Sequence, residues 1–217
     1  IPFEQLIDQW KNILVFMSLA SMILGAVAAI GQTNIKRLIA YSSIGHIGYA
    51  LAGISTGTVA GYSSSITYIS IYVIMNLGVF GCIFLMKKNA RYCEDIEDLA
   101  GISKQNPLLA ISFLIILFSL AGIPPLAGFF AKFYVFMSVI ESGMYTLAIV
   151  GLLSTVISAF YYLRVIKIIY FDEIKNPFDK IKNLGITSTV FLSCVILVMF
   201  FLYPSILNNI VSILSLN

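Results

Sequence analysis

Apolar residues in this chain do not recur with the period of an amphipathic helix or strand; they come in long unbroken runs. Stretches free of Asp, Glu, Lys and Arg cover 12–30, 38–86, 107–131, 133–140, 142–163 and 184–217. A helix needs about 20 apolar residues to cross a bilayer. The run 38–86 therefore holds two spans, divided at the Gly- and Ser-rich Ser55-Thr56-Gly57-Thr58-Val59-Ala60-Gly61. Six spans are predicted, near 12–30, 38–56, 64–86, 107–140, 144–163 and 184–203. The fourth is too long for one straight helix, because 34 residues at about 1.5 Å each reach about 50 Å across a hydrocarbon core of about 30 Å. It must break, tilt steeply or re-enter. The remaining tail, 205–217, is apolar with scattered Ser and Asn and suits the outer membrane interface.

Composition agrees. Apolar residues make up 59% of the 217 and charged ones only 11%, against about 25% charged in a soluble domain; mean hydropathy is +0.97. The expected fold is an all-α membrane protein, a single transmembrane helical domain over 1–217.

The net charge of +3 decides nothing, but its distribution does. Lys36 and Arg37 follow span one, Lys87, Lys88, Arg91 and Lys104 follow span three, and Arg164, Lys167, Lys175, Lys180 and Lys182 follow span five. These three segments hold eleven of the 13 basic residues, leaving Lys11 and Lys132. Basic loops stay on the cytoplasmic side, so both termini are expected on the other side. Five or seven spans would mix basic and neutral loops.

The three cysteines, Cys82, Cys93 and Cys194, are odd in number and form no Cys-x-x-Cys pair. That pattern suggests no disulfide framework, zinc site or iron–sulfur cluster. The acidic loop residues Glu94, Asp95, Glu97 and Asp98 balance nearby Lys87, Lys88 and Arg91 without metal-ligand spacing. The chain opens Ile1-Pro2-Phe3-Glu4 rather than with an initiator Met, which suggests a portion of a longer protein.

Candidate chemistry lies where polar groups interrupt the spans. Lys132 stands alone in the fourth, and an ammonium at membrane depth is kept for a water path, a partner or a function. Just before it, Pro124 and Pro125 remove two amide donors and free the carbonyls of Leu120 and Ala121. Freed carbonyls in hydrocarbon must find partners. The expected result is two half-helices hinged at Gly122, Pro124 and Pro125, the arrangement of ion sites in transporters. Gly128, one turn before Lys132, is expected to leave room for water or a side chain.

His46 is the only histidine and lies mid-span, with Ser42, Ser43 and Tyr49 on its face. It suits either a proton relay at neutral pH or an interhelical packing contact. Tyr68, Tyr72 and Asn76 repeat every four residues on span three, as do Ser154, Ser158 and Tyr162 on span five. Such stripes serve a water path or interhelical hydrogen bonding equally.

Three motifs carry a family resemblance: Gly31-Gln32-Thr33-Asn34-Ile35-Lys36-Arg37-Leu38-Ile39-Ala40-Tyr41-Ser42-Ser43-Ile44-Gly45-His46-Ile47-Gly48-Tyr49; Phe118-Ser119-Leu120-Ala121-Gly122-Ile123-Pro124-Pro125-Leu126-Ala127-Gly128-Phe129-Phe130-Ala131-Lys132-Phe133-Tyr134-Val135-Phe136; and Tyr161-Tyr162-Leu163-Arg164-Val165-Ile166-Lys167. Over essentially the whole chain they resemble the antiporter-like membrane subunits of respiratory complex I, the proton-pumping NADH:quinone oxidoreductase of the bacterial inner membrane. The N-type branch fits best: M-type subunits carry glutamate where Lys132 stands, and L-type subunits tend to follow the lysine with Asp where this chain has Phe133. The resemblance implies a subunit of 14 spans with two inverted repeats, of which this chain holds the second repeat and the last span. It implies that Lys132 is the proton carrier of the broken helix and that His46 is a relay. Ser42, Tyr49, Tyr68, Tyr72, Asn76, Ser154 and Ser158 become candidates for the water path. NADH, FMN, iron–sulfur clusters and quinone would belong to the wider complex, none bound by this chain. Its partners would be the other membrane subunits, lipid and the missing first repeat, with no nucleic acid.

Two departures stand out: Ala26 replaces the Asn that often follows Gly25, and no acidic residue in the segment is available to pair with Lys132. Two other readings are kept, a cation/proton antiporter subunit and a truncated structural remnant without transport.

Overall fold

The computed structural model describes residues 7–88, 91–92, 94–174 and 183–202. Cys93, Lys175, Lys180, Lys182, the opening Ile1-Pro2-Phe3-Glu4 and the interfacial tail expected at 205–217 lie outside the described residues. The protein is an all-helical membrane protein. In chain order come α1 (Ile7–Ile30), α2 (Ile35–Ser55), α3 (Val59–Phe84), a two-residue ladder of β1 (Lys87–Lys88) with β2 (Arg91–Tyr92), a 3-10 turn (Ile96–Leu99), and α4 (Ile102–Gln105). Then follow α5 (Pro107–Ala121), α6 (Ala127–Glu141), α7 (Tyr145–Phe171) and α8 (Leu184–Leu202). Trp10–Ile30 of α1 and all of α2, α3 and α7 are long and apolar enough to cross a membrane; α5 and Leu184–Phe200 of α8 are apolar but shorter.

Local chemistry explains the boundaries, several of which differ from the hydropathy reading. α2 starts at Ile35 because Asn34 caps it, its side chain accepting from the amides of Lys36 and Arg37 at 3.0 and 3.1 Å. Lys36 and Arg37 thus belong to the first turn rather than to the preceding loop. The division between α2 and α3 falls where expected, with Gly57 at φ +72°. α3 begins at Val59, earlier than its apolar run suggested, because the Thr58 hydroxyl accepts from the Gly61 amide. α7 continues to Phe171 and carries Arg164 and Lys167 on helix rather than loop.

Helix packing is closest where side chains are smallest. A methyl group on Gly25 of α1 would lie 2.4 Å from the Gly45 nitrogen of α2, so these two backbones cross in contact. The core runs through the middle of the bundle and includes Met22, Ile39, Tyr68, Phe113, Val135 and Tyr162, each almost wholly buried.

Hydrogen bonds gather two of the connecting segments and the C-terminal turn of α7 at one end. Ile35 donates to the Glu94 carbonyl and Ile96 to the Thr33 carbonyl, both at 2.7 Å, and Gly101 donates to Ile168 at 3.3 Å. The Lys36 ammonium meets Glu94 at 2.7 Å, and the Asn34 amide donates to the same carboxylate at 3.1 Å. The Lys36 contact, with help from Asn34, holds the exposed Glu94 carboxyl below its usual pKa.

Candidate functional site

The interruption between α5 and α6 creates the site. α5 ends with Gly122 in the left-handed conformation, φ +82°, which a side chain would disfavour. The Gly122 amide donates to Phe118 and Ser119, and the Ile123 amide to Phe118. This terminus uses the carbonyls of Phe118 and Ser119 and leaves those of Leu120 and Ala121, the pair that the two prolines were expected to free. Pro124 and Pro125, joined by a cis bond, form the turn with Gly122.

Lys132 returns to this turn from α6. Its side chain is buried, and Nζ donates to the Leu120 carbonyl at 3.1 Å and the Ala121 carbonyl at 3.2 Å. The ammonium thus sits at the negative end of the α5 dipole. Nζ also lies 5.1 Å from the centroid of the Tyr49 ring, within reach of a cation–π contact.

Gly128 does not leave space for water, as the sequence suggested. A methyl group there would fall 1.8 Å from the Ser119 carbonyl oxygen, so the glycine lets the start of α6 press against the end of α5. The Gly128 amide donates to Ser119 Oγ at 3.0 Å, satisfying one of the free donors at the α6 N-terminus.

His46 lies on the other side of Tyr49, buried among tyrosines. Its Nδ1 is 2.6 Å from the Tyr68 hydroxyl on α3, and its Nε2 is 3.2 Å from the Tyr162 hydroxyl on α7. The Tyr72 ring stacks on the imidazole with centroids 4.7 Å apart. With a hydroxyl at each nitrogen, the ring can accept a proton on one side and release one on the other without turning over.

Tyr49 joins the two centres. Its hydroxyl lies 2.9 Å from Ser154 Oγ and accepts from Thr155 Oγ1 at 3.1 Å, while its ring meets His46 edge-on at 6.0 Å. Lys132, Tyr49, His46, Tyr68, Tyr72 and Ser154 are therefore brought together between α2, α3, α6 and α7. Ser42 and Ser158 are buried nearby but donate to their own helices, at Ile39 and Thr155. Asn76 stands apart, at a groove between α3 and α8 that it shares with Thr189 and apolar side chains. Sequence reasoning missed Thr155, Phe136 and the contact of Tyr162 with His46. Tyr162 was visible in the α7 stripe, and Thr155, three residues before Ser158 and seven before Tyr162, lies on that same helix face, so its spacing was the signal that could have found it.

A membrane bundle with two half-length helices meeting beside a buried lysine, near a histidine caged by hydroxyls, defines the class by its build: an all-helical membrane protein with a titratable centre at its core. Residues 1–158 match the family described as NADH:quinone oxidoreductase/Mrp antiporter, transmembrane, and the chain belongs to it. It is 60% identical over 212 residues to the NADH-quinone oxidoreductase subunit N of Pelagibacter ubique, covering 98% of this chain and 45% of that one. The chain thus spans about half the length of the curated relatives it matches. Among solved structures it resembles a chain of respiratory complex I from Thermus thermophilus with bound aureothin, at TM-score 0.77 and 29% identity, over 90% of this chain and 44% of that one. A chain of the Mrp complex from Dietzia sp. DQ12-45-1b shares the fold at TM-score 0.81 and 20% identity, over 91% of this chain and 45% of that one.

Proposed function

We propose that the chain is the second antiporter-like repeat, with the final helix, of a proton-translocating subunit N of NADH:quinone oxidoreductase in the bacterial inner membrane. Lys132 is the proton carrier. The observation that carries this reading is the cradle of Lys132: a buried ammonium bonded to the two carbonyls left free where the helix breaks. Such a lysine can take up and lose a proton as charges near it change, because among the described residues no carboxylate pins it in one state.

In this reading the chain crosses the membrane six times, α5 and α6 making one discontinuous span hinged at Gly122, Pro124 and Pro125, and both termini face away from the cytoplasm. His46 relays protons between Tyr68 and Tyr162. Ser42, Tyr49, Tyr68, Tyr72, Ser154 and Ser158 line the water path, while Asn76, at the groove between α3 and α8, lies outside it. The buried Tyr72 hydroxyl beside His46 has no partner among the described residues, which supports a path completed by water. Redox energy comes from partner subunits that hold NADH, FMN, iron–sulfur clusters and quinone, and the first repeat of the same subunit completes the path.

The Mrp likeness supports the fold, and the 60% identical relative favours the oxidoreductase over the antiporter. Replacing Lys132 by Ala in the intact complex tests the assignment. Assembly is expected to persist while proton pumping per NADH oxidised falls; unchanged pumping in the assembled variant overturns it. Sodium-dependent exchange without NADH oxidation would select the antiporter instead.

A further inference from the structure

Among the described residues, the surroundings of Lys132 contain no counter-ion. α6 packs against α2, α3, α5, α7 and α8, and those five helices carry no Asp or Glu. The one carboxylate on α6, Glu141, is exposed and nine residues beyond Lys132, about 14 Å along the helix. Two carbonyls use two of the three ammonium donors, and the face of Tyr49 lies 5.1 Å from Nζ.

That ring is held from several sides. Its hydroxyl is tied to Ser154 and Thr155 on α7. Its ring makes an edge contact with Phe136, centroids 5.9 Å apart at 80°. Phe136 lies four residues after Lys132 and so on the same face of α6. One helix therefore presents to Tyr49 both the ammonium and an aromatic neighbour.

We propose that Tyr49 is the positioning residue that takes the place of a carboxylate at Lys132. The negative face of the ring favours the ammonium over the neutral amine, and the clamp on α7 keeps the face in place whichever form is present. Lys132 is thus prepared for its charged state by a partner that never takes its proton. This rests on the reading that Lys132 changes charge during turnover. Besides Tyr49, the titratable side chains facing the interior from the packed helices are His46, Tyr68, Tyr72, Cys82, Tyr161, Tyr162 and Cys194, and no anion stands among them at neutral pH.

The test is the pH profile of proton pumping by the intact complex reconstituted in vesicles, with assembly measured alongside. Tyr49→Phe keeps the ring face and its edge contact with Phe136 but loses the hydroxyl tie to α7, and is expected to move the alkaline limb less than Tyr49→Leu does. Tyr49→Leu removes the face, so Lys132 loses its proton at lower pH and the limb moves down by about one pH unit. If the leucine variant does not assemble, phenylalanine analogues with increasing ring fluorination at position 49 withdraw charge from the face at nearly constant shape. A stepwise fall of the limb with each fluorine is expected. A limb that stays put across that series, while Lys132→Ala still abolishes pumping, overturns the role of Tyr49 and leaves that of Lys132 standing. Pumping that survives Lys132→Ala overturns both.

Discussion

At the scale of single residues the proposed relay rests on two hydroxyls at opposite nitrogens of one imidazole. If protons pass in series from Tyr68 through His46 to Tyr162, removing either hydroxyl stops the passage and removing both adds nothing. Tyr68→Phe and Tyr162→Phe are therefore each expected to bring pumping to the level of Lys132→Ala, and the double variant to fall no further. A packing role predicts the opposite: small losses of stability that add and pumping that persists, read from pumping and melting of the same preparations. Lys132 and His46 were legible in the sequence because a titratable group is costly in an apolar run and is kept there for a purpose. Their partners were less so. Which hydroxyl reaches an imidazole across a helix interface depends on how the helices are rotated and staggered, and the spacing of polar residues along α7 does not say that Tyr162 meets His46 while Thr155, on the same face, meets Tyr49.

At the scale of elements the sequence located the helix break but misjudged its packing. Two adjacent prolines identify the lost donors, so the freed carbonyls of Leu120 and Ala121 could be named in advance. The role of Gly128 could not, because it depends on how closely α6 folds back on α5. The contact with the Ser119 carbonyl makes a clear prediction. Gly128→Ala forces the two half-helices apart and is expected to cost about 1–3 kcal/mol, seen as a lower melting temperature of the assembled complex. Gly31→Ala, where an added methyl meets nothing within 4 Å, is the control and should melt with the wild type. Equal melting of the two variants would mean that α5 and α6 do not touch at Gly128.

The basic end of the bundle shows how separate elements become one surface. Glu94 binds Lys36 and Asn34 beside the backbone bonds between 33–35 and 94–96. Its carboxyl is more acidic when folded, so the contribution of this contact is present above the ordinary glutamate value of about 4.3 and is lost as pH falls through the lowered folded value. Exposure and salt keep the effect small. Glu94→Gln should speed hydrogen exchange at the Ile35 and Ile96 amides at neutral pH, and wild type should approach the variant on acidification once intrinsic rates are corrected. Parallel curves at all pH values would remove Glu94 from the account.

At the scale of the whole molecule, loop charge and hydrogen bonding place the same parts of the chain at one end of the bundle. Counting Lys and Arg assigns three connecting segments to one side of a membrane. The structure ties those segments together through Thr33 and Ile35 with Glu94 and Ile96, through Gly101 with Ile168, and through Arg164, which donates to the Ile30 carbonyl at 3.1 Å. The backbone bonds among these do not depend on loop charge; only the Arg164 contact draws on a residue that the count also uses. The opposite end holds the α2–α3 turn and the α6–α7 turn, neither with a basic residue. If the basic end is cytoplasmic, Ala60 and Tyr145, both exposed, face the outside, and exposed Lys104 faces the inside. In a background with Cys82, Cys93 and Cys194 replaced, Ala60→Cys and Tyr145→Cys should react with a membrane-impermeant maleimide added to whole spheroplasts. Lys104→Cys should react only in inverted vesicles. Labelling in the reverse pattern would invert the protein and place the opening of α1 in the cytoplasm; labelling of Ala60→Cys and Tyr145→Cys from different sides would break the six-span count, because it leaves an odd number of crossings between them.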